Sequence, residues 1–192
     1  MIKKIDIFEG EQRKIISRVS DLINLPKTGK FRWNKYRGDV TCRIIKKFAS
    51  THIPDSMKLV GPNAYINNWP DEFDLLLVNS KAKPLPCTNA YKSNDVYKII
   101  EVKKSGFYNS VEDPKWYLER FNALHNKFDK MNCTYLSISE IANPKKESSK
   151  NWVELTRKVL EPKYKCFFLQ DSRTKELIKY QWRKFIENLL DI

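Results

Sequence analysis

Two apolar stretches of this chain each carry an acidic residue, and one of them ends with a lysine. Phe73–Val78 has Asp74 near its start, and Val96–Lys103 ends with the tripeptide Glu-Val-Lys over 101–103. A buried strand rarely accepts an acid unless something pairs with it. Two carboxylates beside a lysine on neighbouring strands predict a divalent-cation site, and with it phosphodiester hydrolysis.

Strand geometry predicts how these residues meet. Side chains alternate along a strand, so Glu101 and Lys103 are expected on one face together with Ile99 and Tyr97. If the two strands are antiparallel neighbours, Asp74 and Glu101 converge near one end of the sheet.

Each of these residues has a predicted role. Asp74 and Glu101 are the expected ligands of Mg²⁺, with Mn²⁺ as a substitute, and the carbonyl of Val102 is a further candidate oxygen ligand. Lys103 is expected to orient or help deprotonate a metal-bound water and to stabilise the developing pentavalent anion.

The pattern acid-x-Lys is weak by itself. It occurs three times, at 101–103, 113–115 and 161–163, and the last two have proline in the middle, which disfavours a central strand. The alternative interpretation is an ordinary strand end whose charges emerge into solvent. The acid at Asp74, entering a second apolar strand, favours the cation site.

Elements that could position these residues follow from periodicity and turn signals. Helices are expected over about 9–24, 39–50, 114–130, 152–160 and 174–190. Asp39 is the predicted N-cap of the second of these helices. The first strand is expected in two pieces, over 57–60 and 64–66. Four more strands are expected over 73–78, 97–103, 133–138 and 164–169. Residues 79–95 are expected to form a loop.

This order predicts an α/β fold. Its centre is a mixed β-sheet of about five strands flanked by helices on both faces. The first three strands form a meander, and the helix over 114–130 allows a parallel crossover. The length of 192 residues fits one domain, with a core over about 39–140, a helical segment over 1–38, and a strand with helices over 150–192.

The formal net charge of +13 favours a polyanionic partner, and nucleic acid is favoured over a membrane surface. No apolar stretch is long enough for a transmembrane helix, and no apolar signal stretch begins the chain. Four widely spaced cysteines fit free thiols in a reducing cytoplasm. The chain has no glycine-rich phosphate loop, so no nucleotide cofactor is expected.

A basic, aromatic segment over 27–37 is a candidate DNA contact, because aromatic rings stack on bases while lysine and arginine bind phosphates. The alternative is a basic loop whose aromatic rings fill the core. The candidate contacts here and just beyond the lysine strand are Lys30, Arg32, Trp33, Lys35, Arg37, Lys104 and Ser105.

The stretches over 69–78 and 97–106 resemble the PD-(D/E)xK nuclease superfamily, which has the restriction-endonuclease-like fold. The resemblance implies Asp74 and Glu101 as metal ligands and Lys103 as the catalytic lysine. Pro70-Asp71 spells the family motif literally, so Asp71 competes with Asp74, which is favoured because it adjoins the apolar strand. The helix over 114–130 lacks the Gln-x-x-x-Tyr element of RecB-type members.

Members of this superfamily often use a further acid, and the sequence leaves its identity open among Glu72, Asp71, Glu11, Glu9 and Asp39. The resemblance implies a Mg²⁺-dependent endonuclease of duplex DNA, of restriction type and homodimeric. The alternatives are a structure-selective repair nuclease or junction resolvase, and a non-catalytic DNA-binding member of the fold. Two acids facing DNA without a metal would repel it, which argues against the last.

Overall fold

A five-stranded sheet forms the centre of the fold in this computed structural model, which describes residues 6–23, 33–105, 114–128, 131–139, 160–171 and 174–191. The helices are α1 (Ile7–Ile23), α2 (Trp33–Ala49), α3 (Pro114–Lys127) and α4 (Gln181–Leu190). The strands are β1 (Met57–Val60), β2 (Tyr65–Ile66), β3 (Leu75–Asn79), β4 (Ala90–Tyr91), β5 (Val96–Ser105), β6 (Asn132–Ser139) and β7 (Lys165–Gln170).

The central sheet is mixed, with the strand order β1-β3-β5-β6-β7. β1, β3 and β5 pair antiparallel, so the predicted meander is confirmed. β5, β6 and β7 pair parallel, and α3 lies in the connection between β5 and β6. A parallel pair needs such a long crossover, which the helical pattern over 114–130 predicts.

Helices cover both faces of this sheet, as predicted. On one face α1, α2 and α4 pack against a layer that includes Leu75, Leu77 and Ile100. On the other face α3 packs against a layer that includes Leu76 and Ile99. Because β3 is covered on both sides, its sequence is a continuous apolar run with no polar alternation.

Helix α2 begins earlier than predicted. It starts at Trp33, so Asp39 lies inside the helix and the assignment of Asp39 as an N-cap is wrong. Gly38 has open space where a side chain would stand. Its presence costs about 1 kcal/mol relative to alanine, which is too little to end a helix that packs on α1 and β5.

Helix α4 begins later than predicted, at Gln181 instead of 174. Leu177 makes an antiparallel bridge to Gln170 at the end of β7, and Lys175 and Tyr180 have positive φ angles. The segment before α4 therefore turns back along β7 and extends the edge of the sheet before the helix starts. The predicted helix over 152–160 lies outside the described residues except for its last position.

The region over 57–66 is not one interrupted strand. β1 belongs to the central sheet, whereas β2 pairs parallel with β4 in a separate two-stranded sheet. The predicted loop over 79–95 therefore contains β4 and a 3₁₀ turn over Ser93–Asp95. The strand character of β2 agrees with the predicted piece over 64–66, whereas the two residues of β4 carry too little periodicity to be recognised in a sequence.

A bulge in β5 changes one predicted side-chain direction. Leu77 pairs with Lys98, but Val78 pairs with Val96, which leaves Tyr97 as an extra residue. Tyr97 therefore packs on the side of α1, α2 and α4, and its predicted place on the face of Ile99 is wrong. The residues after the bulge keep the predicted alternation.

Candidate active site

Asp74 and Glu101 come together where β3 begins. Leu75 pairs antiparallel with Ile100, so the preceding and following residues, Asp74 and Glu101, stand opposite each other across the two strands. The Asp74 carboxylate Oδ2 accepts a hydrogen bond of 2.8 Å from the backbone N–H of Val102. This bond ties the first acid to the strand that carries the second.

Glu101 is buried and lies between two cations. Its carboxylate Oε1 is 3.0 Å from the Lys103 ammonium, and its Oε2 is 3.3 Å from Nη1 of Arg120 on α3. Only 5% of Glu101 is exposed, so this double pairing supplies the partner that a buried charge requires.

Lys103 is the more accessible cation of the two. Its side chain is 24% exposed, compared with 9% for Arg120. The ammonium also lies 5.5 Å from the centre of the Tyr117 ring. Lys103 thus contacts the buried carboxylate while part of its side chain faces solvent.

Burial raises the pKa of Asp74 to about 7, and the negative charge of Glu101 adds to this effect. Lys103, the Val102 N–H and Arg120 act in the opposite direction. Near neutral pH, Asp74 is therefore divided between its neutral and ionised forms. A cation bound beside it would favour the ionised form.

Helix α2 also reaches this site. Cys42 is buried, and its own burial together with the charges of Asp74 and Glu101 raises the pKa of its thiol well above the usual range. Asp39, a candidate acid, contributes to the same shift and accepts a 3.5 Å hydrogen bond from Asn63. The middle of α2, around Asp39 and Cys42, is therefore close enough to the two acids for their charges to act on it.

A glycine makes room for the start of β3. Gly61 has a φ of +114°, a region that favours glycine. A Cβ atom at this position would lie 2.3 Å from the Asp74 carbonyl oxygen. The absence of a side chain at Gly61 therefore allows the backbone that carries Asp74 to approach closely.

Arg120 also belongs to the site, although it lies outside the sequence motif. Besides Glu101, its Nη2 donates a 2.8 Å hydrogen bond to the carbonyl of Glu72, and its Nε lies 3.8 Å from the carboxylate of Asp71. The helical spacing from Tyr117 to Arg120 to Leu124 places an arginine among the buried residues of α3. That charge on an apolar helix face is the sequence signal that could have identified it.

The remaining candidate acids lie in two places. Asp71 and Glu72 are exposed at the rim of the site, and the Glu72 carboxylate accepts a 3.3 Å hydrogen bond from Tyr65 and lies 3.6 Å from Lys35. Glu11 lies on α1, where its carboxylate makes two hydrogen bonds of 2.8 Å with the ring nitrogens of His52 and Trp182. Glu9 pairs with Arg13 at 2.7 Å.

The predicted DNA contacts are only partly described. Lys35 is exposed, and its proximity to the Glu72 carboxylate places it near the rim of the site. Arg37 is half-buried. Lys30 and Arg32 lie outside the described residues. So do the side chains of Trp33, Lys104 and Ser105, although Trp33 begins α2 and the other two end β5.

The donor set fits a hard cation. Asp74 and Glu101 supply two carboxylates, and Mg²⁺ is typically held by one or two carboxylates with water and substrate phosphate. No cluster of three or more His, Cys, Asp or Glu side chains suited to a metal occurs within the described residues. β5 continues to Ser105, so Val102 lies inside the strand, and its carbonyl as a ligand stays a prediction.

Comparison with solved structures shows where this architecture recurs. The chain is similar to NucC of P. aeruginosa ATCC27853 in its cAAA-bound form, with a TM-score of 0.65 and 10% identity over 96% of this chain and 89% of that one. The fold is restriction-endonuclease-like. NucC of E. coli MS115-1 in its cAAA-bound form gives a TM-score of 0.57 and 12% identity over 80% of this chain and 68% of that one.

These similarities concern the fold, since the identities are low. No family model matches the chain. No curated protein matches it either. Residue roles therefore depend on the geometry of the site.

Proposed function

We propose that this protein is a Mg²⁺-dependent DNA endonuclease that hydrolyses phosphodiester bonds at the site formed by Asp74, Glu101 and Lys103. The observation that carries the proposal is the meeting of the half-buried Asp74 carboxylate and the buried Glu101 carboxylate across β3 and β5, with the Lys103 ammonium 3.0 Å from Glu101. The fold shared with NucC structures and the net charge of +13 support it.

Asp74 and Glu101 are the residues that would hold the cation. When bound, Mg²⁺ would lower the pKa of a bound water and shield the phosphate charge. The chain contributes fixed geometry, because the Val102 N–H orients Asp74 and two cations orient Glu101. Burial keeps these carboxylates in a medium where charge interactions are stronger than in water.

Lys103 contacts the substrate in this proposal. Its ammonium holds the attacking water near the phosphate and donates to the phosphoryl oxygens as negative charge develops on them. The partial exposure of its side chain gives it access to DNA, and its contact with Glu101 fixes its position. Glu72 and Asp71, at the rim, are the auxiliary acids best placed to assist.

DNA is the proposed substrate because the chain is strongly basic. Lys35 on α2 lies beside the rim, and Lys104 and Ser105 continue the strand of the catalytic lysine. We favour a homodimeric, restriction-type enzyme of the cytoplasm that cuts duplex DNA. No helix in the described ranges is long and apolar enough to cross a membrane.

The test is incubation of the purified protein with plasmid and phage DNA in EDTA, Mg²⁺ or Mn²⁺. Cleavage is expected only with a metal, and Lys103→Ala is expected to lower the rate at least about 100-fold. Lys165→Ala is the matched control, because it removes the same charge from an exposed position at the start of β7. Full activity of the Lys103 variant would refute the mechanism.

The products and substrates decide the finer class. Discrete bands indicate a restriction-type enzyme, and cleavage confined to flap or cruciform DNA indicates a structure-selective nuclease. Salt-sensitive binding without cleavage indicates a non-catalytic DNA-binding protein. Because the similar NucC structures are cAAA-bound forms, each assay is run with and without cAAA. Dependence on cAAA would overturn the expectation that no nucleotide is needed.

A further inference from the structure

The Arg120 guanidinium connects the two strand segments that carry the acids. It reaches β5 through the Glu101 carboxylate, at 3.3 Å, and the segment before β3 through the Glu72 carbonyl, at 2.8 Å. Glu72 lies two residues before Asp74 in the sequence. A single side chain from α3 therefore contacts the backbone leading to one acid and the carboxylate of the other.

The position of this guanidinium is fixed by aromatic rings. Its central carbon lies 5.1 Å from the centre of the Phe73 ring and 5.3 Å from that of Trp116. Arginine combines such stacking with a planar set of donors, whereas lysine offers a flexible point charge. The contacts of Arg120 therefore depend on the shape of its side chain as well as on its charge.

We propose that Arg120 is a positioning residue for the metal site. It holds the Glu101 carboxylate and the Glu72 backbone in place, and so orients the two acids that would bind a divalent cation. This inference rests on the proposed function, because it concerns the same cation. Arg120 acts through Glu101, in the way that outer residues orient the ligands of known metal sites.

Lys127 provides a matched control on the same helix, two turns further along. It lies 5.6 Å from the ring centre of Trp69 and 5.7 Å from that of Phe128, and it donates to the carbonyl of Asn68. It thus joins α3 to a neighbouring loop by the same kinds of contact. None of its described contacts involves the two acids.

The experiment measures the Mg²⁺ concentration that produces half of the metal-induced rise in Tm of the DNA-free protein. Arg120→Lys keeps the charge, so a change reports the geometry. It is expected to raise this midpoint about 10-fold or more, and Lys127→Met is expected to leave it unchanged. Trp116→Leu, at a position 45% exposed, removes one stacking ring and is expected to raise the midpoint about two- to fivefold.

The outcomes separate this inference from the proposed function. If the wild-type protein shows neither a Mg²⁺-induced rise in Tm nor metal-dependent cleavage, the proposed function fails. If the wild type shows both, but Arg120→Lys and Trp116→Leu keep its midpoint, the positioning role is refuted. An equal change of the Mg²⁺ midpoint in Lys127→Met would also refute the positioning role of Arg120. Any contact between α3 and the neighbouring loop would then be enough to support the site. If Arg120→Lys does not fold, Trp116→Leu decides alone.

Discussion

Replacing Asp74 by asparagine is expected to stabilise the metal-free protein while abolishing cleavage. Asparagine keeps an oxygen that can accept the 2.8 Å hydrogen bond from Val102, but it carries no charge beside Glu101. The wild-type carboxylate has its pKa raised from the usual 3.8 to about 7, mainly by burial. Its ionised form is therefore disfavoured in the folded state.

The size of the effect follows from that shift. The folded protein holds the Asp74 proton between about pH 4 and 7 while the unfolded chain releases it, so wild-type stability falls as the pH rises through this range. The shift corresponds to roughly 4 kcal/mol. Because Asp74 keeps some exposure to solvent, we expect Asp74→Asn to gain about 2 to 4 kcal/mol at pH 8 and little at pH 4.

The assay is thermal unfolding in EDTA at pH 4, 6 and 8. For a chain of this length, the expected gain at pH 8 corresponds to a rise in Tm of about 5 to 15 °C. Added Mg²⁺ is expected to raise the Tm of the wild type and not that of Asp74→Asn. A variant that is no more stable than the wild type at pH 8, or whose gain is the same at pH 4, would refute the electrostatic reasoning.

Three further substitutions, one of them a control, test how the site and its surroundings are supported. Gly61→Ala is expected to destabilise the protein by more than about 2 kcal/mol and to lower cleavage, because its Cβ would meet the Asp74 carbonyl at 2.3 Å. Gly38→Ala is the control and is expected to stabilise α2 by about 0.5–1 kcal/mol. Chemical denaturation measures the stability change of both glycine variants. Glu11→Ala is expected to cost about 1–3 kcal/mol, because Trp182 loses the acceptor of its indole N–H. Its cleavage rate at 25 °C should equal that of the wild type, and a large loss would mark Glu11 as the missing acid.

The central sheet could be predicted because its strands are long and covered on both faces. The apolar runs in the sequence predict β3, β5, β6 and β7 to within two residues at each end. Failures occurred where local signals are weak. The bulge at Tyr97 and the two-residue strands depend on pairing partners distant in sequence. The early start of α2 depends on packing, which outweighed the N-cap preference of Asp39.

The site was predictable only in the part that lies on adjacent strands. An acid in an apolar strand is unusual wherever it occurs, so Asp74 and Glu101 could be recognised without knowing their neighbours. Arg120 is different, because its place among the apolar residues of α3 marks it as unusual without showing which acid it meets. Its pairing with Glu101 depends on how α3 packs over β5, which no local pattern specifies.

The charges at the site help to distinguish the proposed nuclease from a protein that only binds DNA. Asp74 and Glu101 alone would repel DNA phosphates, but Lys103 and Arg120 bring two positive charges to the same place. Repulsion by the acids is therefore weaker than the sequence implies, and it does not by itself argue against a non-catalytic protein. The stronger argument is the placement of Asp74, since an ionised, partly buried carboxylate opposite Glu101 lowers stability, as the direction of its pKa shift also indicates. A protein that only binds DNA gains nothing from that cost, whereas a cation bound at this site would use both carboxylates as ligands.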